Sequence, residues 1–209
     1  MNDFLPEQLI FDGVDVLEAA FTAAVTNIIT SNAHGFTGNE KLQFTTATTL
    51  PAGLSLATDY YVIPSSVTTN TFKVSTAIGG TEVDITDTGT GTHTFHLKGR
   101  VILMEGFNHG NLSLDTSGTA TMTVKVQGSD SETMPDFNAA QSITNRWDYM
   151  GIVDLEDRSA IDGDTGVAMT GADDHRHFEI NVNSKRWVTV AITAWTVGKL
   201  RVGLKLANS

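Results

Sequence analysis

The sequence predicts an all-β fold: an antiparallel β-sandwich or jelly-roll-like domain that carries a small inserted β-domain. Apolar and polar residues alternate with a period of two in several short segments, which is the pattern of half-buried strands. No segment shows the period of a long amphipathic helix. Turn-forming Gly and Pro residues separate the segments, as in sandwiches and jelly rolls. At 209 residues, the chain is long enough for one large all-β domain or two small ones.

The clearest strands are predicted in the second half of the chain. One-sided alternation there indicates antiparallel strands with one solvated face. Residues 187–195 are apolar on both faces, with Trp187 and Trp195 among them, which predicts a strand in the middle of a packed structure or at a subunit interface. Around residues 135–141, Pro, Asp and two alanines predict a helical turn or two. The one-sided strands are residues 119–127, 178–183 and 201–206.

Residues 23–98 differ in composition from the rest of the chain, because Thr is frequent and Lys and Arg are sparse. We expect the first and last strands of this segment to pair and so bring its ends together. A module with adjacent ends can be inserted into a loop of a host domain. The predicted strands are residues 25–30, 41–46, 60–63, 71–75, 82–86 and 92–97.

The predicted domain organisation follows from this insertion. Residues 1–22 form an N-terminal arm and the first strand of the sandwich, with residues 12–22 as that strand. Residues 23–98 form the inserted threonine-rich β-module, and residues 99–209 form the main β-sandwich domain.

The charge of the chain excludes several classes of partner. Its 24 acidic and 13 basic residues give a net charge of −11, which argues against binding to nucleic acid or to an anionic membrane. It has no cysteine, and therefore no disulfide, thiolate nucleophile or Cys-ligated zinc. The acidic start MNDFLPEQL lacks the basic region of a secretory signal, and the apolar run 19–25 is too short to span a bilayer. We therefore expect a soluble protein.

Short motifs lie along the threonine-rich segment and the second half of the chain. The segment carries His34-Gly35-Phe36, Leu50-Pro51-Ala52-Gly53-Leu54, Tyr60-Tyr61-Val62-Ile63, Asn70-Thr71-Phe72-Lys73 and Gly91-Thr92-His93-Thr94. With these motifs it resembles a small β-module that recurs in structural proteins of tailed bacteriophages. The second half carries Pro135-Asp136-Phe137, Trp147-Asp148-Tyr149, Ile161-Asp162-Gly163-Asp164-Thr165-Gly166, Asp173-Asp174-His175-Arg176 and Phe178-Glu179-Ile180-Asn181-Val182-Asn183. With these it is similar to phage virion proteins, and in particular to head decoration (cement) proteins. Both resemblances imply a place in a phage particle, and neither supplies catalytic residues.

No motif predicts catalysis, a cofactor or a metal. The acidic residues between 154 and 174 offer oxygen ligands for Ca²⁺, but Asp162-Gly163-Asp164-Thr165-Gly166 lacks the later ligands of an EF-hand, so turn chemistry is favoured and Ca²⁺ stays open. His175 and His177 share a strand face, where a structural pair is favoured over a metal site. No serine lies in a Gly-x-Ser-x-Gly elbow. We predict that the protein is not an enzyme.

The leading hypothesis is a decoration protein, a homotrimer that binds the major capsid protein and stabilises the assembled head. It would reside on the capsid surface of the virion, after assembly in the host cytoplasm. One alternative is a tail component, such as a fibre, tip or adaptor protein. Another is a carbohydrate-binding surface module built on Trp147, Tyr149, Trp187 and Trp195, although core or interface packing is favoured for these side chains. The predicted partner-binding residues are Phe4, Leu5 and Leu9 on the arm, and Arg146, Arg158, Arg176, Lys185 and Arg186 opposite acidic capsid loops.

Overall fold

A computed structural model describes residues 7–14, 18–104 and 106–207 of the chain. The prediction of an all-β fold is confirmed: antiparallel strands dominate, and the helical element among the described residues is a single 3₁₀ turn, Pro64–Ser66. The chain divides into two compact units. The described residues of Met1–Gly13 and Gly99–Ser209 form one, here called the sandwich unit. Those of Val14–Lys98 form the other, here called the threonine-rich unit.

The strands of the described residues are numbered in chain order. They are β1 (Gln8–Val14), β2 (Glu18–Ala23), β3 (Ile29–Thr30), β4 (Lys41–Thr46), β5 (Tyr60–Val62), β6 (Thr71–Phe72), β7 (Val74–Ser75), β8 (His93–Lys98), β9 (Ile102–Leu103), β10 (His109–Ser129), β11 (Asp148–Tyr149), β12 (Ile152–Asp154), β13 (Ala160–Ile161), β14 (Val167–Ala172), β15 (His175–Asn181) and β16 (Trp187–Ala207).

The sandwich unit is organised around two 21-residue strands, β10 and β16, which pair antiparallel along their whole length. The sheet order is β1-β16-β10-β15-β12-β13, with β9 on β16 and with β11 and β14 on β10. On its other side, β10 pairs with β15 through its first half and with β14 through its second. Each half of β10 therefore belongs to a different part of the sheet.

Both long strands change direction near their middle. Gly118 of β10 and Gly198 of β16 have positive φ angles of 69° and 104°, and the pairing register shifts between Ser117 and Val124. Bulges of this kind bend a strand and increase its twist. Residues 182–186 link the end of β15, which pairs with the start of β10, to the start of β16, which pairs with the end of β10. Both ends of β10 consequently lie at the same end of the unit, which is consistent with a sandwich-like arrangement.

The core of the sandwich unit follows the alternation seen in the sequence. Buried residues alternate with more exposed ones in β15, in the first half of β10 up to Thr116 and from Ala120 to Val126, and at the C-terminal end of β16, as expected for strands with one solvated face. The largest side chains of the sandwich unit that are almost completely buried are Met104, Leu112, Leu114, Met169 and Phe178.

The threonine-rich unit is a seven-stranded sheet in the order β6-β3-β2-β8-β4-β5-β7. Its core is aromatic, with Phe44, Tyr60, Phe72 and Phe95 almost completely buried. The two ends of this unit are adjacent, because Glu18 in β2 pairs with His96 in β8. Aromatic side chains supply much apolar area per residue, which suits a unit of this size.

The chain also leaves and re-enters the sandwich unit at neighbouring points. There, the backbone N–H of Arg100 donates to the carbonyl of Ile10 at 3.2 Å. A side chain on Gly99 would collide with the carbonyl of Val190 at 2.4 Å, so the returning segment lies close against β16.

The strand pairing that joins the ends of the threonine-rich unit differs from our prediction. Residues 12–22 do not form one strand of the host sheet: β1 ends at Val14, and β2 belongs to the seven-stranded sheet. The predicted pairing of 25–30 with 92–97 is also wrong, since β8 pairs with β2 and β4. A turn at residues 24–28, with Asn27 at a φ of 65°, reverses the chain into the short β3.

Three local predictions need correction. Residues 82–86 form no strand, only an isolated bridge between Ser75 and Glu82. Residues 135–141 form no helix, because the segment closes as a turn on the side chain of Asn145. Segments 187–195 and 201–206 are parts of the single strand β16. Trp187 and Trp195 are half-buried, so they are not enclosed within the unit, and the alternative of a subunit interface stays a prediction.

Candidate functional site

Three of the predicted partner-binding cations meet at one end of the sandwich unit. Residues 103–104, 106–107, 129–148 and 183–186 converge there, and we call this region the loop end. The backbone of Arg186 fixes the convergence: its N–H donates to the carbonyl of Ser129 at 2.7 Å, and its carbonyl accepts from the N–H of Met104 at 2.9 Å. Arg146, Lys185 and Arg186 therefore belong to one surface of an acidic protein.

Hydrogen bonds within the loop 130–147 hold it in place without regular secondary structure. Asn145 is the hub: its Nδ2 donates to the carbonyls of Asp136 at 2.9 Å and Ala140 at 3.1 Å. Its Oδ1 accepts from the backbone N–H of Asp136 at 2.9 Å. Asn is suited to this role because its amide both donates and accepts. A loop tied to itself in this way presents its side chains in a defined arrangement.

Trp147 is an aromatic side chain of the loop end that is both held by its neighbours and partly exposed. Its Nε1 donates to the carbonyl of Ala139 at 3.1 Å, and its ring lies 5.3 Å from that of Tyr149 in an edge-to-face arrangement. Behind it, the buried Phe137 lies 6.1 Å away. The indole is half-buried and fixed from several sides, so its exposed part is available to a ligand at little cost in side-chain entropy.

A cavity of about 390 Å³ opens beside Trp147. Its charges are balanced, because its lining contains Arg146 and Lys185 as well as Asp130 and Asp148. Arg146 Nη2 donates to both carboxylate oxygens of Asp130, at 3.0 and 3.1 Å. The full lining consists of Gly128, Ser129, Asp130, Gln141, Ser142, Arg146, Trp147, Asp148 and Lys185.

Asp148, which contributes hydrogen-bond acceptors to the cavity, is also held in position. Asp148 Oδ1 accepts from the backbone N–H of Tyr149 at 2.9 Å and from Gln141 Nε2 at 3.3 Å. A Cβ at Gly128 would lie 2.2 Å from Met150 Sδ, so a larger residue there would require the Met150 side chain to move. A second cavity, of about 480 Å³, lies on the other side of Lys185 against Phe107 and Arg186.

The remaining two predicted cations lie elsewhere in the sandwich unit. Arg176 pairs with the buried carboxylate of Asp154, and its guanidinium lies 5.1 Å from the ring centre of Phe178. Arg176 thus forms an ion pair within the unit, and its assignment to a partner surface stays a prediction. Arg158 is exposed, at a turn where its φ is 63°.

The predicted arm can be followed only from Glu7, since Phe4 and Leu5 lie outside the described residues. Leu9 is half-buried in β1. Glu7 pairs with Arg201, which also donates to Asp115 at 3.1 Å. Hydrogen bonds to Glu7, and then to Asp115, raise the pKa of Arg201. The beginning of β1 is thus fixed to the sheet by charge.

The acidic segment 154–174 shows turn chemistry. Asp162 Oδ1 accepts from the backbone N–H of Asp164 at 2.9 Å. Hydrogen bonds from Ser159 lower the pKa of Asp157. Within residues 7–14, 18–104 and 106–207, no three His, Asp or Glu side chains converge as a metal site would require.

The sequence reasoning missed Asn145, Gln141 and Asp130, which shape the loop end. A signal for Asn145 was present, because Ser, Asn and Asp between strands commonly bond to nearby backbone groups. Nothing in the sequence indicated which backbone groups Asn145 would reach, since these lie five and nine residues earlier in the chain.

Comparison with known proteins gives no match: no family model, curated protein or solved structure is similar enough to count as one. In the described part of the chain, no helix has the length and apolar character needed to cross a membrane.

Proposed function

We propose that this chain is a non-enzymatic structural protein of a tailed-bacteriophage particle. It is a decoration protein that binds the major capsid protein on the outside of the assembled head and stabilises it as a homotrimer. The resemblance of residues 34–94 to a module of phage structural proteins supports the phage assignment. The sandwich unit and the threonine-rich unit each have their own core, which suits a protein whose task is to bind and to present surfaces.

The attachment of β1 is the observation that carries the docking hypothesis. β1 is the outermost strand of the order that begins β1-β16-β10, and Glu7 is held by Arg201. Residues 1–6, with Phe4 and Leu5, precede this fixed point in the chain. Apolar side chains on a segment that leaves a fixed strand can bind grooves on neighbouring subunits. Binding through three arms of a trimer would add by multivalency.

The test compares the full chain with a variant that lacks residues 1–6. The deletion stops before Glu7 because Ile10 and Phe11 are buried, so a longer deletion would damage the sheet. We expect the variant to keep its urea midpoint and to lose sedimentation with heads that have been depleted of this protein. A double variant, Phe4→Ala with Leu5→Ala, should lose binding in the same way without shortening the chain.

Two controls make the result specific. Lys199→Ala changes an exposed side chain near the bend of β16 and should leave head binding unchanged. Light scattering of the free protein should give the mass of three chains. Full retention of head binding by the shortened chain would exclude the arm, and a monomeric mass would exclude the trimer.

A tail component is distinguished from a decoration protein by copy number. Quantitative mass spectrometry of purified particles should give this chain at an abundance comparable to that of the major capsid protein. A handful to a few dozen copies per particle would instead place the chain in the tail, and its absence from particles would contradict both assignments.

A further inference from the structure

We infer that the cavity beside Trp147 binds a neutral carbohydrate. This site goes beyond the proposed docking function and does not depend on it. The inference rests on the chemistry of the lining, on its balance of charge and on the degree to which the lining is fixed before a ligand arrives.

The lining combines one aromatic side chain with many polar groups. A sugar ring has C–H groups on its faces, which pack on an indole, and hydroxyl groups around its edge that both donate and accept hydrogen bonds. Among the described residues, Trp147 is the aromatic residue of the cavity lining, and Asp148, Gln141 and Ser142 supply acceptors and donors beside it. At about 390 Å³, the cavity lies within the range typical of small-molecule sites.

The charges of the lining favour a ligand without charge. Arg146 and Lys185 contribute two positive charges, and Asp130 and Asp148 contribute two negative ones. Arg146 is already engaged by both oxygens of Asp130. A phosphate would therefore have to compete with a carboxylate for Arg146 and would meet a second carboxylate at Asp148. An uncharged polyol avoids both penalties.

The polar groups keep hydrogen-bonding capacity after their internal bonds are made. The bonds from Arg146 to Asp130 leave from Nη2 alone, and a guanidinium has five N–H donors. A carboxylate offers about four acceptor positions, so Asp148 can bind a hydroxyl while it holds Tyr149 N–H and Gln141. Planar side chains of this kind reach two neighbouring hydroxyls at once.

Preorganisation is the final argument for the site. Asn145 ties the loop, Ala139 holds the indole N–H of Trp147, and Gln127 Nε2 donates to the carbonyl of Phe137 at 3.1 Å beneath it. A ligand therefore meets a lining that is already ordered, which lowers the cost of binding. The sequence alone favoured core or interface packing for Trp147, and the half-exposed indole leaves part of the ring accessible to a ligand.

The experiment uses the full chain and four methyl glycosides: α-glucoside, α-mannoside, β-galactoside and N-acetyl-β-glucosaminide. Each is titrated to about 20 mM and followed by saturation-transfer NMR and by tryptophan fluorescence, which detects dissociation constants in the millimolar range. We expect at least one glycoside to bind, and Trp147→Ala to weaken that binding at least about tenfold. Asp148→Asn should also weaken it, because an amide replaces one of the carboxylate acceptors.

The controls separate binding from folding. Trp195→Phe alters an indole at the bend of β16, far along the strand from the cavity, and should bind as the unchanged protein does. Near-ultraviolet circular dichroism should confirm that Trp147→Ala is folded. Head sedimentation by Trp147→Ala should be unaffected, so failure here and failure of the docking proposal remain distinguishable.

Three outcomes would overturn the inference. The first is that none of the four glycosides binds, and the second is equal binding by Trp147→Ala. The third is displacement of the glycoside by a few millimolar inorganic phosphate, which would make the cavity an anion site.

Discussion

Arg176 and Arg158 differ in their contribution to stability. Arg176 forms an ion pair with a buried carboxylate, whereas Arg158 is exposed. Asp154 is buried and accepts the guanidinium of Arg176, while its Oδ1 accepts from the N–H of Glu156 at 2.9 Å. Removing one partner of a buried pair leaves an uncompensated charge, which costs about 3–5 kcal/mol. For Arg176→Met we expect the lower end of that range, because the guanidinium is partly solvated.

The measurement is urea denaturation of the sandwich unit, followed by tryptophan fluorescence. Arg158→Ala is the matched control: alanine meets the same backbone strain at φ 63°, and we expect a change within about 0.5 kcal/mol. Adding Asp154→Asn to Arg176→Met should recover part of the loss. Equal urea midpoints for Arg176→Met and Arg158→Ala would contradict the assignment.

His34 makes the stability of the threonine-rich unit depend on pH. Burial lowers the pKa of His34 from 6.5, and the opposing effects of the Thr71 backbone and Glu40 are smaller. The unfolded chain therefore binds the proton more readily than the folded one. This contribution to stability is complete above pH 6.5 and is lost as pH falls from 6.5 towards the lowered pKa.

Methyl NMR of Val62 and Val74 during urea titration would test this in the intact chain. We expect a lower urea midpoint at pH 5 than at pH 7.5, and a flatter pH dependence in His34→Gln. His175→Gln, at an exposed histidine of the sandwich unit, should keep the full dependence. A midpoint that does not change between the two pH values in the unchanged chain would rule out the effect.

Among the elements, the bend of β10 and β16 depends on its two glycines unequally. A Cβ at Gly198 would lie 2.7 Å from Ala120 Cα and 2.8 Å from the Thr119 carbonyl, at a φ of 104°. Gly118 has a φ of 69° and open space where a Cβ would lie. We expect Gly198→Ala to cost at least about 2 kcal/mol, and Gly118→Asn less than about 1 kcal/mol, because Asn tolerates this left-handed conformation.

Urea denaturation followed by tryptophan fluorescence compares the two glycine variants directly. Trp195 reports on the bend itself, since its Nε1 donates to the carbonyl of Gly198 at 3.1 Å. Similar losses at both positions would show that backbone conformation alone, and not the close contact at Gly198, sets the cost.

The bend also explains what could be predicted about the strands. One-sided alternation identified 119–127 and 201–206, and apolar residues on both faces identified 187–195. These patterns could not join them into β10 and β16, since Gly118 and Gly198 have the sequence appearance of strand ends. The loop 130–147 was beyond prediction for a different reason: its order comes from Asn145 bonding across the loop, which no local period encodes.

For the whole molecule, the neighbouring points at which the chain leaves and re-enters the sandwich unit predict that this unit folds without the threonine-rich unit. The Ile10–Arg100 hydrogen bond spans the gap that removal of residues 14–98 would leave. We expect a chain with a short Gly-Ser linker in place of these residues to keep its tryptophan fluorescence. Its unfolding free energy should change by no more than about 1 kcal/mol, because loop length alone has a small effect.

All three tryptophans belong to the sandwich unit, so fluorescence reports on that unit alone in the intact and shortened chains. A shortened chain with solvent-exposed tryptophan emission would show that the sandwich unit needs the threonine-rich unit to fold.

The change in Thr, Lys and Arg content along the sequence predicted an inserted segment. Its predicted C-terminal boundary lies within a few residues of the boundary between the two units at Lys98. The other boundary was placed too late, since residues 18–23 alternate as well as a host strand would. Period-two patterns identify a strand and its buried face, but they do not identify the sheet to which it belongs.

Because the chain leaves and re-enters the sandwich unit at neighbouring points, other domains can be inserted at the same place. The chain leaves and re-enters the sandwich unit at points joined by the Ile10–Arg100 hydrogen bond, and the two ends of the insert are paired as neighbouring antiparallel strands. Foreign domains with neighbouring termini, such as enzymes, epitopes or fluorescent reporters, meet the same geometric requirement. The position between Gly13 and Gly99 is therefore an insertion site, at which the sandwich unit can acquire other domains by recombination or by engineering.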